Sequence, residues 1–422
     1  MLARPRKVMS EYLQQFAEPF GYLDFARFGP VSEPVRRVLL READRLHRHG
    51  WDALDSLDAD TAAAARTAAD LLRAAPHEIA FVGSTSHGLF AAAHAVGAGA
   101  AARGTTVRGT GDGTAAPGAA DGPAADGTVL VARTDFPGAL YPWLRAAGNG
   151  GLAVRQLDGP LTADLVREHL DDRVRAVAVC AVDAATGFRA PLAAIKELIG
   201  PDRILVVDAV QALGAVEFAV DAADVLAAGG QKWLRAGWGA AVLLVRDRVA
   251  DRLGPGLGGW SGVVDPIDAP VHPRPPRPGA VAHTLTNPDG PAVAALGAAL
   301  ALVRETGAAR IEARIGEVLG GLLAAARTAG AETDGGPEAG RRHGLPVGGG
   351  SGDPAAVGSG IARLRLPGAD PAAVHRALTG AGLATTLRGG WIRLSPHAST
   401  DPTTAELLAE TLAHLQRGVR TA

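Results

Sequence analysis

Ile204-Leu205-Val206-Val207-Asp208-Ala209-Val210-Gln211-Ala212-Leu213-Gly214, then Asp224, then Gly229-Gly230-Gln231-Lys232-Trp233, is the stretch on which the reading of this fold turns. Four apolar residues closed by a carboxylate read as a buried strand of a parallel sheet, since such strands are covered on both faces and show no polar alternation. An amide stands three residues beyond Asp208 and an amine 24 residues beyond it (232 − 208). A second apolar run, Ala240-Ala241-Val242-Leu243-Leu244-Val245, follows. Only three lysines occur, Lys7, Lys196 and Lys232. Lys7 lies in a basic N-terminus expected to fray, and Lys196 fits the polar face of a helix after Pro191, so Lys232 is the candidate for chemistry.

Strand, acid, amide and amine in that order are the parts needed to hold pyridoxal phosphate (PLP). An acid facing the pyridine nitrogen keeps it protonated, because opposite charges in contact favour the ionised pair, and a protonated ring accepts the electrons of a carbanion. Asp208 is placed for that role. The Gln211 amide is expected to donate to the phenolic oxygen of the ring. Lys232, as the Schiff-base amine, must be neutral to attack an aldehyde, which calls for a partly desolvated site with positive charge nearby. Taken singly, each residue has a plainer use: an Asp closing a strand is often a turn residue or cap, and a Lys before Trp an ordinary surface lysine. The conjunction favours the chemistry.

Working outward, short apolar runs alternate with helical patterns from Glu78 to Val245, which predicts an α/β fold with a mostly parallel seven-stranded sheet covered by helices on both faces. The expected strands are Glu78–Val82, Thr128–Ala132, Ala153–Leu157, Ala176–Ala181, Arg203–Asp208, Val225–Ala228 and Ala240–Val245. The stretches 103–127 and 335–360 are rich in Gly and Ala without periodicity and read as flexible insertions. Gly109, Gly111 and Gly113 lack the flanking strand and helix that a dinucleotide loop requires. The Pro-rich segment Pro270 to Pro278 is expected to be an extended connector out of a large domain, residues 1–280, whose N-terminal segment packs on the small one. A smaller α+β domain, 281–422, follows. It carries a helical pattern from Pro291 through Ala325, strands Ile361–Leu366, Leu383–Leu387 and Trp391–Leu394, helix Pro371–Thr379, and a last helix Pro402–Gln416 with Thr403 and Glu406 at capping-box spacing.

Composition narrows the function. With 422 residues and 47% hydrophobic content the chain can bury two cores. A net charge of −2 offers no electrostatic footprint for nucleic acid or an anionic membrane, leaving small-molecule chemistry. The single cysteine, Cys180, sits in an apolar run and reads as a buried strand thiol, in keeping with a reducing cytoplasm. The longest apolar helix candidate, Leu89 to Ala102, is too short to span a bilayer, and no targeting segment is apparent. No metal-ligand cluster is expected.

From Tyr22-Leu23-Asp24 to Arg393-Leu394-Ser395-Pro396-His397 the chain resembles the class V aminotransferase family. That branch of the fold-type I PLP enzymes includes cysteine desulfurases, kynureninases, isopenicillin epimerase-like proteins and some C–S lyases. The resemblance implies that Ser84, Thr85, Ser86 and His87, in the loop Gly83-Ser84-Thr85-Ser86-His87, cradle the phosphate at a helix N-terminus, a role that also suits a simple N-cap at Ser84. Phe136, in Asp135-Phe136-Pro137-Gly138, would stack on the pyridine, or else be a core residue after a strand. Asp183 or Thr186 would replace the Asn or Ser that relatives place near the cofactor oxygen, since Ala184 and Ala185 cannot donate. Gln231 stands where many relatives have His as a phosphate partner. Arg393 matches the arginine that grips a substrate α-carboxylate, the other use of such a residue being an exposed strand position. Thr286 and Asn287, in Thr286-Asn287-Pro288, correspond to a loop that reaches the phosphate of a neighbouring subunit, which implies a homodimer. The expected activity is a PLP enzyme acting on an amino acid, nominally an aminotransferase, with a C–S or C–C lyase or an epimerase as alternatives. A non-catalytic binding protein of the same fold is the reading from another class. A persulfide-forming desulfurase needs a mobile cysteine near the small-domain strands, and Leu387-Arg388-Gly389-Gly390-Trp391 has none.

Overall fold

A computed structural model describes residues 3–107, 127–267, 271–336 and 358–421. The glycines at 109, 111 and 113 and most of the two expected insertions lie outside the described residues. Strands β1 (Ile79–Val82), β2 (Thr128–Ala132), β3 (Ala153–Leu157), β4 (Val174–Cys180), β5 (Ile204–Asp208), β6 (Val225–Gly229) and β7 (Ala241–Val245) form one sheet in the order β1-β7-β6-β5-β4-β2-β3. All neighbours are parallel except β7, which runs against both β6 and β1. The expected strands are therefore present with ends shifted by one or two residues; β4 starts earlier because Val174 pairs with Thr128.

The alternation of side chains along each strand divides the apolar residues between two cores. Val129, Val131, Ala178, Val206, Ala227 and Leu243 meet helices α4 (Thr85–Val107) and α5 (Pro137–Gly148) on one face. On the other, Leu130, Val177, Leu205, Val207, Leu226 and Leu244 meet α3 (Leu54–Leu72), α7 (Leu192–Ile199) and α9 (Gly290–Thr306). Continuous apolar strands are what a sheet covered on both sides demands.

Strands β8 (Glu332–Gly335), β9 (Ala362–Arg365), β10 (Thr386–Arg388) and β11 (Trp391–Leu394) make a second, antiparallel sheet in the order β10-β11-β9-β8. Leu364, Ile392 and Leu394 turn toward α10 (Ala308–Thr328), helix Pro371–Gly380 and helix Thr404–Thr421. Strand β8 is a polar edge strand that apolar patterning does not reveal. Thr403 does not cap the last helix; its N–H and hydroxyl both donate to Asp401 Oδ1 at 2.9 and 2.8 Å, so Asp401 organises that turn.

The cores part inside α10, not at residue 280. Val293, Leu296 and Leu300 of α9, and Ile311 and Ile315 of α10, belong to the core under the large sheet, whereas Val318, Leu319 and Leu322 belong to that of the small sheet. The N-terminal segment crosses to the small sheet, where Leu23 is buried in its core and Tyr22 and Asp24 form bridges with Ala384 and Ser395. The expected connector runs alongside residues 262–264, with Val264 N donating to Pro275 O. Helix α1 (Ala3–Leu13) replaces the expected frayed end, with an exposed Lys7–Glu11 pair at 3.7 Å. Among the described residues no single helix is long and apolar enough to cross a membrane.

Candidate active site

The carboxyl ends of parallel strands leave a crevice where functional groups gather in open α/β sheets. Here β5 ends on Asp208, β4 on Cys180 in register with it, and β6 on Gly229, three residues before Lys232. The loop after β1 opens α4, and the turn after β2 supplies Asp135 and Phe136. The apolar strands fix these positions because their side chains are locked in the two cores.

Asp208 is buried and accepts a hydrogen bond from Val210 N at 3.0 Å. Burial pushes its carboxyl up, the Val210 N–H and the Lys232 ammonium pulling it back. Lys232 is pushed the other way: burial lowers its pKa, Arg393 and Arg388 add to that effect, and Asp208 opposes it. The result is an amine biased toward its neutral, nucleophilic form. Its Nζ lies 5.7 Å from the centre of the Phe136 ring. Phe136 is 44% exposed, so it is not a core residue.

The phosphate-loop residues are partly committed to local structure. Ser84 Oγ accepts from His87 N at 3.1 Å, the bond of an N-cap. Thr85 Oγ1 accepts from Gly229 N at 2.8 Å, tying the start of α4 to the end of β6. His87 Nδ1 accepts from Gly83 N at 3.3 Å, while its Nε2 is buried with no partner among the described residues and burial lowers its pKa. Ser86 is exposed, and its Oγ would lie 3.4 Å from a Cβ built on Gly138. Gln231 reaches toward the same place: a Cβ on Gly229 would meet Gln231 Oε1 at 2.3 Å and Thr85 Oγ1 at 2.8 Å. Thr85 and Gln231 thus converge on Gly229, and Ser86 and Phe136 on Gly138, with Phe136 also facing Lys232.

Two of the expected cofactor contacts are already engaged within the protein. The Gln211 amide donates to Ala26 O and its oxygen accepts from Trp233 Nε1, both at 2.8 Å, so it braces the segment after Asp208 and keeps one N–H uncommitted. The Thr186 hydroxyl donates to Asp183 Oδ1 at 2.6 Å, and that oxygen also accepts from Ala185 N and Thr186 N; these groups close their own turn. Lys196 lies on the helix expected after Pro191, where its Nζ pairs with the buried Asp224 at 2.7 Å. Thr286 and Asn287 stand exposed before α9.

Arg393 is buried, not an exposed strand position. One amino group donates to Asp24 Oδ1 at 2.7 Å and the other to Ala184 O at 2.8 Å, while Nε is buried without a partner among the described residues. Asp24 also accepts from Thr386 Oγ1 at 2.8 Å. A guanidinium held through its two terminal nitrogens, with Nε–H still unpaired, keeps donor capacity for a further carboxylate.

Beneath these lies an acidic floor that motif reading missed. Asp135 is pushed up to about 7 by burial and by the neighbouring Asp183 and Asp208 carboxylates, with a hydrogen bond to Cys180 opposing. Cys180 is buried and its thiol is raised well above its usual range, as expected of an inert strand cysteine. The only signal for the cluster was that all four residues follow or end strands.

A family model described as Aminotransferase class-V matches residues 102–325, more than half of the sequence. The chain belongs to the class-V aminotransferase family. Within it, the uncharacterized aminotransferase YcbU of Bacillus subtilis is 26% identical over 235 residues, 55% of this chain and 56% of that protein. A probable cysteine desulfurase of Aeropyrum pernix is 35% identical over 144 residues, 32% of this chain and 35% of that protein. The matched stretches thus span about half the length of these curated relatives or less. Among solved structures, C-DES with glycine covalently linked to its PLP cofactor superposes with a TM-score of 0.76 at 17% identity, covering 95% of this chain and 98% of that one. The cystine C–S lyase C-DES with its product cysteine persulfide gives 0.73 at 17%, covering 93% and 97%. These likenesses confirm the fold-type I architecture of the class-V chain across both sheets.

Proposed function

We propose that this class-V chain is a PLP-dependent enzyme that works at the α-carbon of an amino acid, with Lys232 holding the cofactor. The observation that carries the reading is the half-buried amine of Lys232, shifted toward neutrality, near the buried carboxylate of Asp208 and the partly exposed ring of Phe136. The residues present fit the group. Gly229 has no side chain where one would crowd Gln231 and Thr85, and His87 Nε2 and Arg393 Nε are buried donors or acceptors still lacking partners among the described residues. Buried polar atoms of that kind ordinarily have a partner.

Bound there, PLP supplies an aldehyde reactive toward amines and a ring that takes up the electron pair left when a bond to the α-carbon breaks. Asp208 keeps a proton on the ring nitrogen through its negative charge. The N-terminus of α4, with Ser84 to His87 and Gln231, holds the phosphate by N–H groups and dipole. Phe136 covers one ring face. Arg393 Nε donates to the substrate α-carboxylate, its orientation fixed by Asp24 and Ala184 O. Lys232 Nζ, as a neutral amine, would serve as the base that takes the proton from the substrate α-carbon.

For the outcome, the likeness to a probable cysteine desulfurase and to a cystine C–S lyase supports C–S bond cleavage, and the relative named an aminotransferase supports transamination as the second reading. The only cysteine in the sequence is the buried Cys180, so a lyase would release sulfur to solution without an enzyme persulfide. A homodimer is part of the proposal: Thr286 and Asn287 are exposed beside Leu285, and Trp238 and Trp260 are exposed as well, an apolar surface suited to a second copy.

The test is borohydride reduction of the PLP-loaded protein with peptide mapping. The expected tag is on Lys232 and is lost in Lys232→Ala; a tag elsewhere, or none, refutes the assignment. Exchange of the substrate α-proton then separates an enzyme from a binding protein, and sorting products into keto acid with aminated cofactor, or pyruvate with ammonia, assigns the reaction.

A further inference from the structure

The polar face of the small sheet carries four arginines, and the strand register places them. Arg393 on β11 lies opposite Thr386 on β10 and opposite Arg363 on β9, and directly opposed residues point to the same side. Arg365 and Arg388 are each two residues along from those positions, so they share the face. Three of the four are neutralised. Arg363 pairs with Asp334 at 2.6 Å, Arg365 with Glu332 at 2.6 Å and Arg393 with Asp24 at 2.7 Å. Arg388 has no carboxylate partner among the described residues.

Its location is specific. Arg388 ends β10 immediately before Gly389 and Gly390, whose φ values of 56° and 77° form a tight hairpin that only glycine, and to a lesser degree Asn or Asp, tolerates. The guanidinium carbon lies 5.3 Å from the centre of the Phe136 ring, the same ring that Lys232 Nζ approaches at 5.7 Å. As the diagonal neighbour of Arg393 across the β10–β11 ladder, its backbone is about 7–8 Å from that of Arg393. Two guanidiniums therefore border Lys232, one with a buried free Nε and one unneutralised at the rim.

We infer that Arg388 reads a second anionic group on the substrate, so that the enzyme selects α-amino acids with an acidic side chain, the α-carboxylate going to Arg393 and the distal acid to Arg388. The inference rests on the proposed α-carbon chemistry at Lys232 and on its transamination outcome, because aspartate and glutamate carry no C–S bond to cleave. Neutral side chains would leave Arg388 facing Phe136 and water with no counter-charge. A charged, forked donor gives such a site both attraction and orientation.

The test compares each acidic amino acid with its own amide, aspartate against asparagine and glutamate against glutamine, in the PLP-loaded wild type and in Arg388→Leu and Arg388→Lys. We expect the wild type to favour at least one acid over its amide in kcat/KM, and Arg388→Leu to reduce that ratio about 10- to 100-fold, mostly through KM, with partial retention in Arg388→Lys. In parallel, calorimetry with succinate and with its half-amide, neither of which carries an amine, reads anion binding without turnover. Succinate should bind the wild type more tightly, and the difference should vanish in Arg388→Leu at unchanged Tm. Equal use of acid and amide by the wild type, or an equal loss for both in Arg388→Leu, overturns the inference. If borohydride places no tag on Lys232 while succinate still prefers the wild type, the cofactor assignment fails and the anion site stands.

Discussion

Lys232 and Asp135 carry opposite perturbations within one crevice. Burial makes the amine prefer neutrality and makes the carboxyl prefer its proton, since an interior favours uncharged forms. For Asp135 the consequence for stability is directional. Its folded pKa of about 7 exceeds the value of 3.8 for the free side chain, so its contribution is fully present below about pH 4 and is lost as pH rises through 7. Above neutrality the fold holds an ionised carboxylate beside Asp183 and Asp208. Asp135→Asn should therefore raise the Tm of the cofactor-free protein at pH 8, with little change at pH 4. A thermal melt series from pH 4 to 8 checks this, and a constant offset across the series would contradict it.

At the level of elements, the contact between the start of α4 and the end of β6 shapes the end of the crevice proposed to hold the phosphate. Gly229 permits it, because a Cβ there would stand 2.3 Å from Gln231 Oε1 and 2.8 Å from the Thr85 hydroxyl that binds Gly229 N. Gln231 Oε1 ends a flexible side chain that can turn aside, whereas the Thr85 hydroxyl moves only about a stiff χ1, so Gly229→Ala should cost about 1–3 kcal/mol in stability. Turning aside removes those groups from the phosphate. PLP affinity should fall about tenfold, equivalent to about 1.4 kcal/mol, as read by spectroscopic titration, whereas Gly320→Ala, with open space around its Cβ on α10, should leave affinity as it is. The hairpin joining β10 and β11 is the comparable device on the small sheet, where Gly389 and Gly390 hold Arg388 and Arg393 on one face.

Over the whole molecule, the N-terminal segment binds the two sheets together. Arg235, three residues after Lys232 and fully buried at φ 58°, donates to Glu18 at 2.8 Å, to Ser399 at 2.9 Å and to Pro30 O, and stacks 4.0 Å from the Phe16 ring. One guanidinium thus joins the lysine loop to both ends of the chain. Glu18→Ala leaves this cation buried without its counter-charge, and removing one partner of a buried pair costs about 3–5 kcal/mol. We expect a matching drop in denaturation midpoint and, because the lysine loop loosens, weaker cofactor retention. A midpoint unchanged within error would mean that Arg235 is held by its other contacts alone.

The large sheet, its helices and the position of Asp208 at the end of one strand with Lys232 just beyond the end of the next were legible in the sequence, because apolar runs too uniform for an exposed face admit few folds and because acid, amide and amine occur in a fixed order along them. Strand β8 was not, since an edge strand of Glu-Thr-Asp-Gly carries no apolar signal. Nor were the partners of Gln211, the acidic floor around Asp135, the Asp24–Arg393 pair or the unneutralised Arg388, all of which depend on residues far apart in the chain. Local composition determines which elements form and which of their ends bear reactive groups. Which charge meets which counter-charge is settled by packing, because electrostatic and hydrogen-bond energies depend on distance and burial, and only the folded chain fixes either.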